Sequence, residues 1–155
     1  MKIHIAYATH TGSTLYAGKE LMAVLAENHE VVMKTANETS LDDLQMAEVI
    51  LIGSSSWDWQ GKRGYPLAEM MGFLGRVASF DFSAKKVALF GCGDRDFEHF
   101  CGALDVIWDG LETAGAKYLV EHLRLNRYFM DEIGNQDLVR GWAGTLITKL
   151  KEGSK

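Results

Sequence analysis

Six residues near the start of the chain, Thr9-His10-Thr11-Gly12-Ser13-Thr14, place four hydroxyls and a glycine in close succession. They follow an apolar run, Ile3 to Tyr7. They precede Leu15, Gly18, Leu21, Met22 and Leu25, which share one helical face. The segment therefore reads as a polar loop feeding a helix N-terminus. Such a terminus binds anions, because its first N–H groups lack backbone partners and the helix dipole favours negative charge. Hydroxyls add donors, and the glycine lets the backbone wrap tightly. The loop contains no Lys or Arg, so a phosphate here would rest on neutral donors, with His10 the one candidate cation. It matches neither Gly-x-x-x-x-Gly-Lys-Ser/Thr nor Gly-x-Gly-x-x-Gly, which excludes a triphosphate loop and a dinucleotide fingerprint.

Two further polar stretches carry aromatic rings. Gly53-Ser54-Ser55-Ser56-Trp57-Asp58-Trp59-Gln60-Gly61 holds two indoles within three residues. A flat π-face in a polar loop suits a planar ligand, although an indole folded back on a sheet edge would leave the same pattern. Trp57 stands nearer the preceding apolar run and is the preferred face. Gly91-Cys92-Gly93-Asp94-Arg95-Asp96-Phe97-Glu98-His99-Phe100-Cys101 sets Phe97 among acids, either as a staple for the next helix or as a second plate opposite Trp57. Cys92 and Cys101 read as small buried residues, since no His or Lys is placed by sequence to activate either thiol. One phosphate loop plus two aromatic plates describes a site for a planar phosphorylated heterocycle. Flavin mononucleotide (FMN) fits better than an adenine dinucleotide, because there is no ribose-binding acid in the Rossmann place.

The elements that must hold these stretches alternate along the chain. Strands are expected at Ile3 to Tyr7, Glu30 to Thr35, Val49 to Ile52, Val87 to Phe90 and within Lys117 to Leu125. Helical stripes run through Leu67, Met70, Met71, Leu74 and Val77, through Phe100, Cys101, Leu104, Ile107, Trp108 and Leu111, and through Val139, Trp142, Ala143, Leu146, Ile147 and Leu150, with a short turn at Leu41 to Gln45. The single proline, Pro66, fits a first helical turn. Five βα units imply an α/β three-layer sandwich with a parallel sheet and helices on both faces. Ligands bind such sheets outside the strand carboxyl ends, so residues 9–14, 53–65 and 91–101 should meet at one rim. At 155 residues the chain is expected to be one domain, 1–155, with a sizeable core. A net charge of -5 argues against nucleic-acid binding and an anionic membrane surface. No apolar run is long enough to span a bilayer, no signal peptide is expected, and two cysteines without metal spacing point to a reduced cytoplasmic setting with no metal.

On these residues the chain resembles the flavodoxin family, short-chain type, over essentially its whole length. The loop Thr9 to Thr14 is similar to the family's Thr/Ser-x-Thr-Gly-x-Thr. Ser55-Ser56-Trp57 is similar to its Ser/Thr-Trp segment. Phe90-Gly91-Cys92-Gly93-Asp94, continued by Phe97-Glu98-His99-Phe100-Cys101-Gly102-Ala103, is the most specific match, and Gly141-Trp142-Ala143 follows in the last helix.

The resemblance implies a flavodoxin-like fold with strand order 2-1-3-4-5 and non-covalently bound FMN. The phosphate would lie on Thr9, His10, Thr11, Gly12, Ser13 and Thr14. The ring would lie between Trp57 and Phe97, with its edges met by Ser55, Ser56, Asp58, Cys92, Gly93 and Asp94, and with His99 and Cys101 completing the site. It implies a monomeric low-potential one-electron carrier between larger redox proteins, not an enzyme. A small FMN-dependent NAD(P)H reductase on the same fold is the alternative. Three departures stand out: Phe97 where Tyr is usual, Asp58 where Gly is frequent, and Lys62, Arg63 and Arg95 in loops that are often more acidic. An Asp accepts positive φ only with strain, and added cations would ease a reduced, anionic flavin.

Overall fold

The computed structural model describes residues 1–59 and 61–153; the side chains of Asp58 and Trp59 lie outside that description. The elements in order are β1 (Lys2–Ala8), α1 (Ser13–Leu25), β2 (Glu30–Thr35), α2 (Leu41–Met46), β3 (Val49–Trp59), β4 (Lys62–Pro66), α3 (Ala68–Arg76), β5 (Lys86–Gly93), α4 (Ala103–Thr113), β6 (Lys117–Tyr118), β7 (Leu123–Asn126), a 3-10 turn (Tyr128–Met130) and α5 (Glu132–Gly153).

Successive strand residues point to opposite faces, so a continuous apolar run feeds two cores at once. Val49 and Leu51 of β3 pack with Ala17, Leu21 and Leu25 of α1 and with Val139, Ala143 and Leu146 of α5. Ile50 and Ile52 pack on the other face with Leu44 of α2, Phe73 of α3, and Leu104 and Ile107 of α4. The result is the expected three-layer α/β sandwich.

Among the described residues the sheet has seven strands, in the order β2-β1-β3-β5-β6, with β4 on β3 and β7 on β5. This is the predicted 2-1-3-4-5 order with two elaborations. The fifth strand is split, so Lys117–Tyr118 and Leu123–Asn126 pair separately with β5. The third strand does not stop at Ile52. It runs on through Ser54 and Ser55, which pair with Gly91 and Cys92, and then forms an antiparallel hairpin with β4. The expected loop 53–65 is therefore largely a β-hairpin. A serine-rich segment carries no apolar strand pattern; backbone pairing with β5 makes it one.

Pro66 closes β4, opposite Ser56, and α3 begins after it at Ala68. A hairpin edge tolerates a residue without an N–H, which is why proline serves here instead of at a helix start. Helix α4 likewise begins at Ala103, leaving Phe100 and Cys101 in the preceding loop.

Register aligns the rim. Ala8 pairs with Ser54, Ser54 with Gly91, and Gly91 with Arg124. The segments that follow these positions leave the sheet at one level.

Candidate functional site at the carboxyl rim of the sheet

One cleft of about 730 Å³ opens at this rim, within the roughly 300–1,000 Å³ of small-molecule sites. Its walls come from all three predicted segments and from a fourth. Of the candidate residues, His10, Thr11, Ser13, Ser55, Ser56, Trp57, Cys92, Gly93, Asp94, Phe97, His99 and Cys101 line it, whereas Thr9, Gly12 and Thr14 do not. Asp58 has its backbone in β3, where the pairing register shifts between Trp57 and Trp59. That backbone is strand and not a turn, so the expected turn strain is not present here; its side chain lies outside the described residues, as does the choice between the Trp57 and Trp59 rings.

The three candidates absent from the lining build the loop from behind. The Gly12 amide donates to the Thr9 hydroxyl at 3.0 Å. Gly12 then takes φ 97° and turns the chain into α1, a conformation that any residue with a Cβ adopts at a cost. Thr14 is fully buried and shares a 2.7 Å hydrogen bond with the Ser55 hydroxyl. That bond ties the first loop to β3. Helix α1 has no side-chain N-cap, while α2 has a complete capping box between Ser40 and Asp43. The α1 terminus thus presents its first amides at the cleft, beside the hydroxyls of Thr11 and Ser13.

The hairpin and the third loop form the other end. Trp57 exposes 53% of its surface and Phe97 69%, unusual for rings of this size, and both line the cleft. The His10 imidazole lies 4.3 Å from the Trp57 ring, tilted by 37°. The Ser56 hydroxyl accepts from the Ala103 amide at 3.0 Å and so caps α4. Gly64 has φ 73°, and a Cβ there would stand 2.6 Å from His99 Cβ. Glycine thus permits the contact that locks the hairpin onto the third loop. In that loop His99 and Cys101 take φ 59° and 53°, strained values that persist where surrounding structure enforces them.

The thiols are inert by environment. Cys92 and Cys101 are buried and unpaired. Burial pushes Cys92 up to about 11 and Cys101 up to about 12. The Cys101 thiol donates weakly to the Gly91 and Leu125 carbonyls. Both read as packing at the cleft floor, as the sequence suggested.

The fourth wall, Arg127, Tyr128, Phe129 and Met130, lies outside the three predicted segments. The structure divides it. Tyr128 is buried in the α1/α5 core, while all four residues line the cleft. The signal for it was present: these residues follow the last strand, whose carboxyl end belongs to the same rim. Arg127 Nε meets Asp94 Oδ1 at 3.1 Å, and its other branch pairs with Asp96. The Asp96 amide, and then Arg127, hold the Asp94 carboxyl below the usual carboxylate range. Arg127 thereby clasps the segment that carries Phe97. Arg63, Gly64, Glu98 and Phe100 are further lining residues outside the predicted set.

A doubly wound sheet with a hydroxyl-rich loop and two exposed rings at one rim is the arrangement expected of a flavin-mononucleotide protein, and comparison with known proteins gives the family. The family model described as Flavodoxin matches residues 5–139. The flavodoxin of Maridesulfovibrio salexigens is 31% identical over 150 residues, covering 94% of this chain and 97% of that protein. The crystal structure of oxidised flavodoxin 2 from Bacillus cereus superposes with TM-score 0.85 at 29% identity, covering 96% of this chain and 99% of that one. A Fusobacterium nucleatum flavodoxin, solved bound to flavin mononucleotide, has TM-score 0.82 with 96% and 98% covered; at 19% identity that likeness is one of fold. The chain belongs to the flavodoxin family.

Proposed function

We infer that residues 1–155 form a single FMN-binding domain whose cofactor site is the rim cleft. As a flavodoxin, the protein is a low-potential one-electron carrier on non-covalently bound FMN, passing electrons between redox partners. When bound, FMN supplies the redox chemistry; the protein supplies binding, orientation and electrostatics.

The observation that carries the site assignment is the pairing of two features in one cleft. A helix N-terminus without a side-chain cap stands at one end, and two half-bare aromatic rings stand at the other. The amides opening α1, with Thr11 and Ser13, would hold the phosphate, while Thr9, Gly12 and Thr14 keep the loop in shape. Trp57 and Phe97 would cover the ring and exclude water from its faces. Main-chain groups of Ser55 to Asp58 and of Cys92 to Asp94 would meet its edges. The hydroxyls of Thr14 and Ser56 and the Cys101 thiol are engaged within the protein, so these residues contribute shape and not direct side-chain bonds. His10 belongs to the α1 loop and lies against the Trp57 ring, so it touches both ends of the cleft.

The protein acts without turnover of a substrate of its own, and no observation favours the reductase alternative. It works as a monomer in the cytoplasm. The free thiols support a reducing compartment, and among the described residues no helix is long and apolar enough to cross a membrane. Titrating the apoprotein with FMN should quench tryptophan fluorescence and give a yellow one-to-one complex. Stepwise dithionite reduction should then resolve two one-electron steps. A colourless mixture, or steady consumption of NADH or NADPH with a quinone, would overturn this reading.

A further inference from the structure

Among the described residues, four charged side chains line the cleft besides its histidines: Arg63 and Arg127 against Asp94 and Glu98. For a chain of net charge -5, this wall is nearly balanced. The two arginines are not equivalent. Arg127 is committed to Asp94 and Asp96, so its charge is cancelled where it stands. Arg63 makes no ion pair or hydrogen bond among the described residues, and its backbone is fixed by the Gly64–His99 contact beside it. The other two cations of the neighbourhood point elsewhere. The Arg95 guanidinium lies 5.2 Å from the Phe100 ring centre and Lys62 Nζ 5.4 Å from that of Tyr65, and neither residue lines the cleft.

We propose that Arg63 is the residue that sets the charge balance of this cleft and biases it toward the reduced form of FMN. The proposal rests on the cleft being the FMN site. Oxidised FMN gains two electrons and one proton on full reduction at neutral pH, so the bound ligand becomes more negative by one unit. An uncommitted guanidinium in the wall stabilises that added charge, whereas the Arg127 clasp, already neutralised, does so weakly. Arg63 stands on the hairpin, away from the α1 terminus that would hold the phosphate. It therefore discriminates between oxidation states more than it adds to overall affinity. By linkage, tighter binding of the reduced ligand is the same quantity as a higher midpoint for its formation.

The test compares wild type, Arg63→Gln and Arg63→Lys. Oxidised FMN affinity is read from tryptophan quenching of the apoprotein, and reduced FMN affinity from the same titration under dithionite. Arg63→Gln should weaken reduced FMN roughly three- to tenfold and oxidised FMN less than twofold, with Arg63→Lys restoring most of the difference. High salt should narrow the gap, since Arg63 is exposed. Equal loss for both forms, no loss for the reduced form, or no rescue by lysine would overturn the assignment. Failure of wild type to bind oxidised FMN would instead bring down the site reading itself, and the proposal with it.

Discussion

The two ends of the cleft solve different problems with different chemistry. At the α1 end, donors are neutral and their positions are set by the backbone: the Gly12 turn, the Thr9 hydroxyl and the Thr14–Ser55 bond. At the hairpin end, rings are exposed and charges abound, with Arg63, Arg127, Asp94 and Glu98 in the wall. A neutral, preorganised anchor holds a phosphate with little salt dependence and does not respond to the redox state of a distant ring. A charged wall around the ring does respond. On the proposed reading, separating anchor from tuner lets affinity and potential vary independently, which suits a carrier that must keep its cofactor through every cycle.

The largest expected effect probes the ring end. Trp57→Ala should weaken FMN and riboflavin alike by about 1–3 kcal/mol, or roughly 5- to 150-fold, the scale of removing one aromatic platform. Paired titrations read this directly; a loss confined to FMN would place Trp57 at the phosphate instead. Next, Gly12→Ala puts a Cβ at φ 97°, which costs about 1–2 kcal/mol in the loop. FMN should weaken by about that much and riboflavin, without a phosphate, far less. Equal losses would erase the distinction between the ends.

A smaller effect is expected from Arg127→Gln, which removes exposed, solvent-screened pairs to Asp94 and Asp96. FMN should leave the variant a few times faster in stopped-flow measurements, because the Phe97 segment loses its clasp. The sign of the pH dependence follows from Asp94. Its folded pKa is depressed, so the clasp is present above the ordinary carboxylate value of 3.8 and is lost as pH falls through the lowered one. Wild type and variant should therefore converge in acid, and a gap that widens there would count against the clasp.

The smallest effect serves as a control outside the cleft. His122 packs edge-on against Trp108 and Tyr118, and its buried Nδ1 has no hydrogen-bond partner among the described residues. Burial, then Arg124, lower it to about 4, with Asp105 opposing. Its neutral ring favours the fold fully above the ordinary value of 6.5. That contribution declines as pH falls from 6.5 toward about 4, because the unfolded chain takes up the proton first. His122→Gln should flatten this part of the thermal-stability profile and leave FMN affinity untouched. A matching change in affinity would mean that the fifth strand is coupled to the cleft.

Much of this was legible from residue types because local rules carry it. The alternation of apolar strands and amphipathic helices dictated the sandwich. The run Val49 to Ile52 announced a strand covered on both faces, and hydroxyls, a glycine and the helix it enters marked the Thr9 to Thr14 loop as a candidate anion site. What local rules could not supply depended on pairing between distant segments. The extension of β3 through Ser54 to Trp59 exists because β5 and β4 satisfy its backbone. Pro66 ends a hairpin because α3 starts later than its apolar stripe suggested.

The same division holds within the site. Sequence by itself determined the donors, the two ring types and the rim on which they gather, since these follow from composition, periodicity and the direction of a parallel sheet. Only tertiary structure decided which hydroxyls face inward, that Arg127 reaches back across the rim to Asp94 and Asp96, and that Arg63 stands in the wall without a carboxylate partner among the described residues. Charge identity is written in a residue, but whether that charge is cancelled depends on what lies within a few ångströms of it, and that distance is set by how segments thirty or more positions apart are brought together.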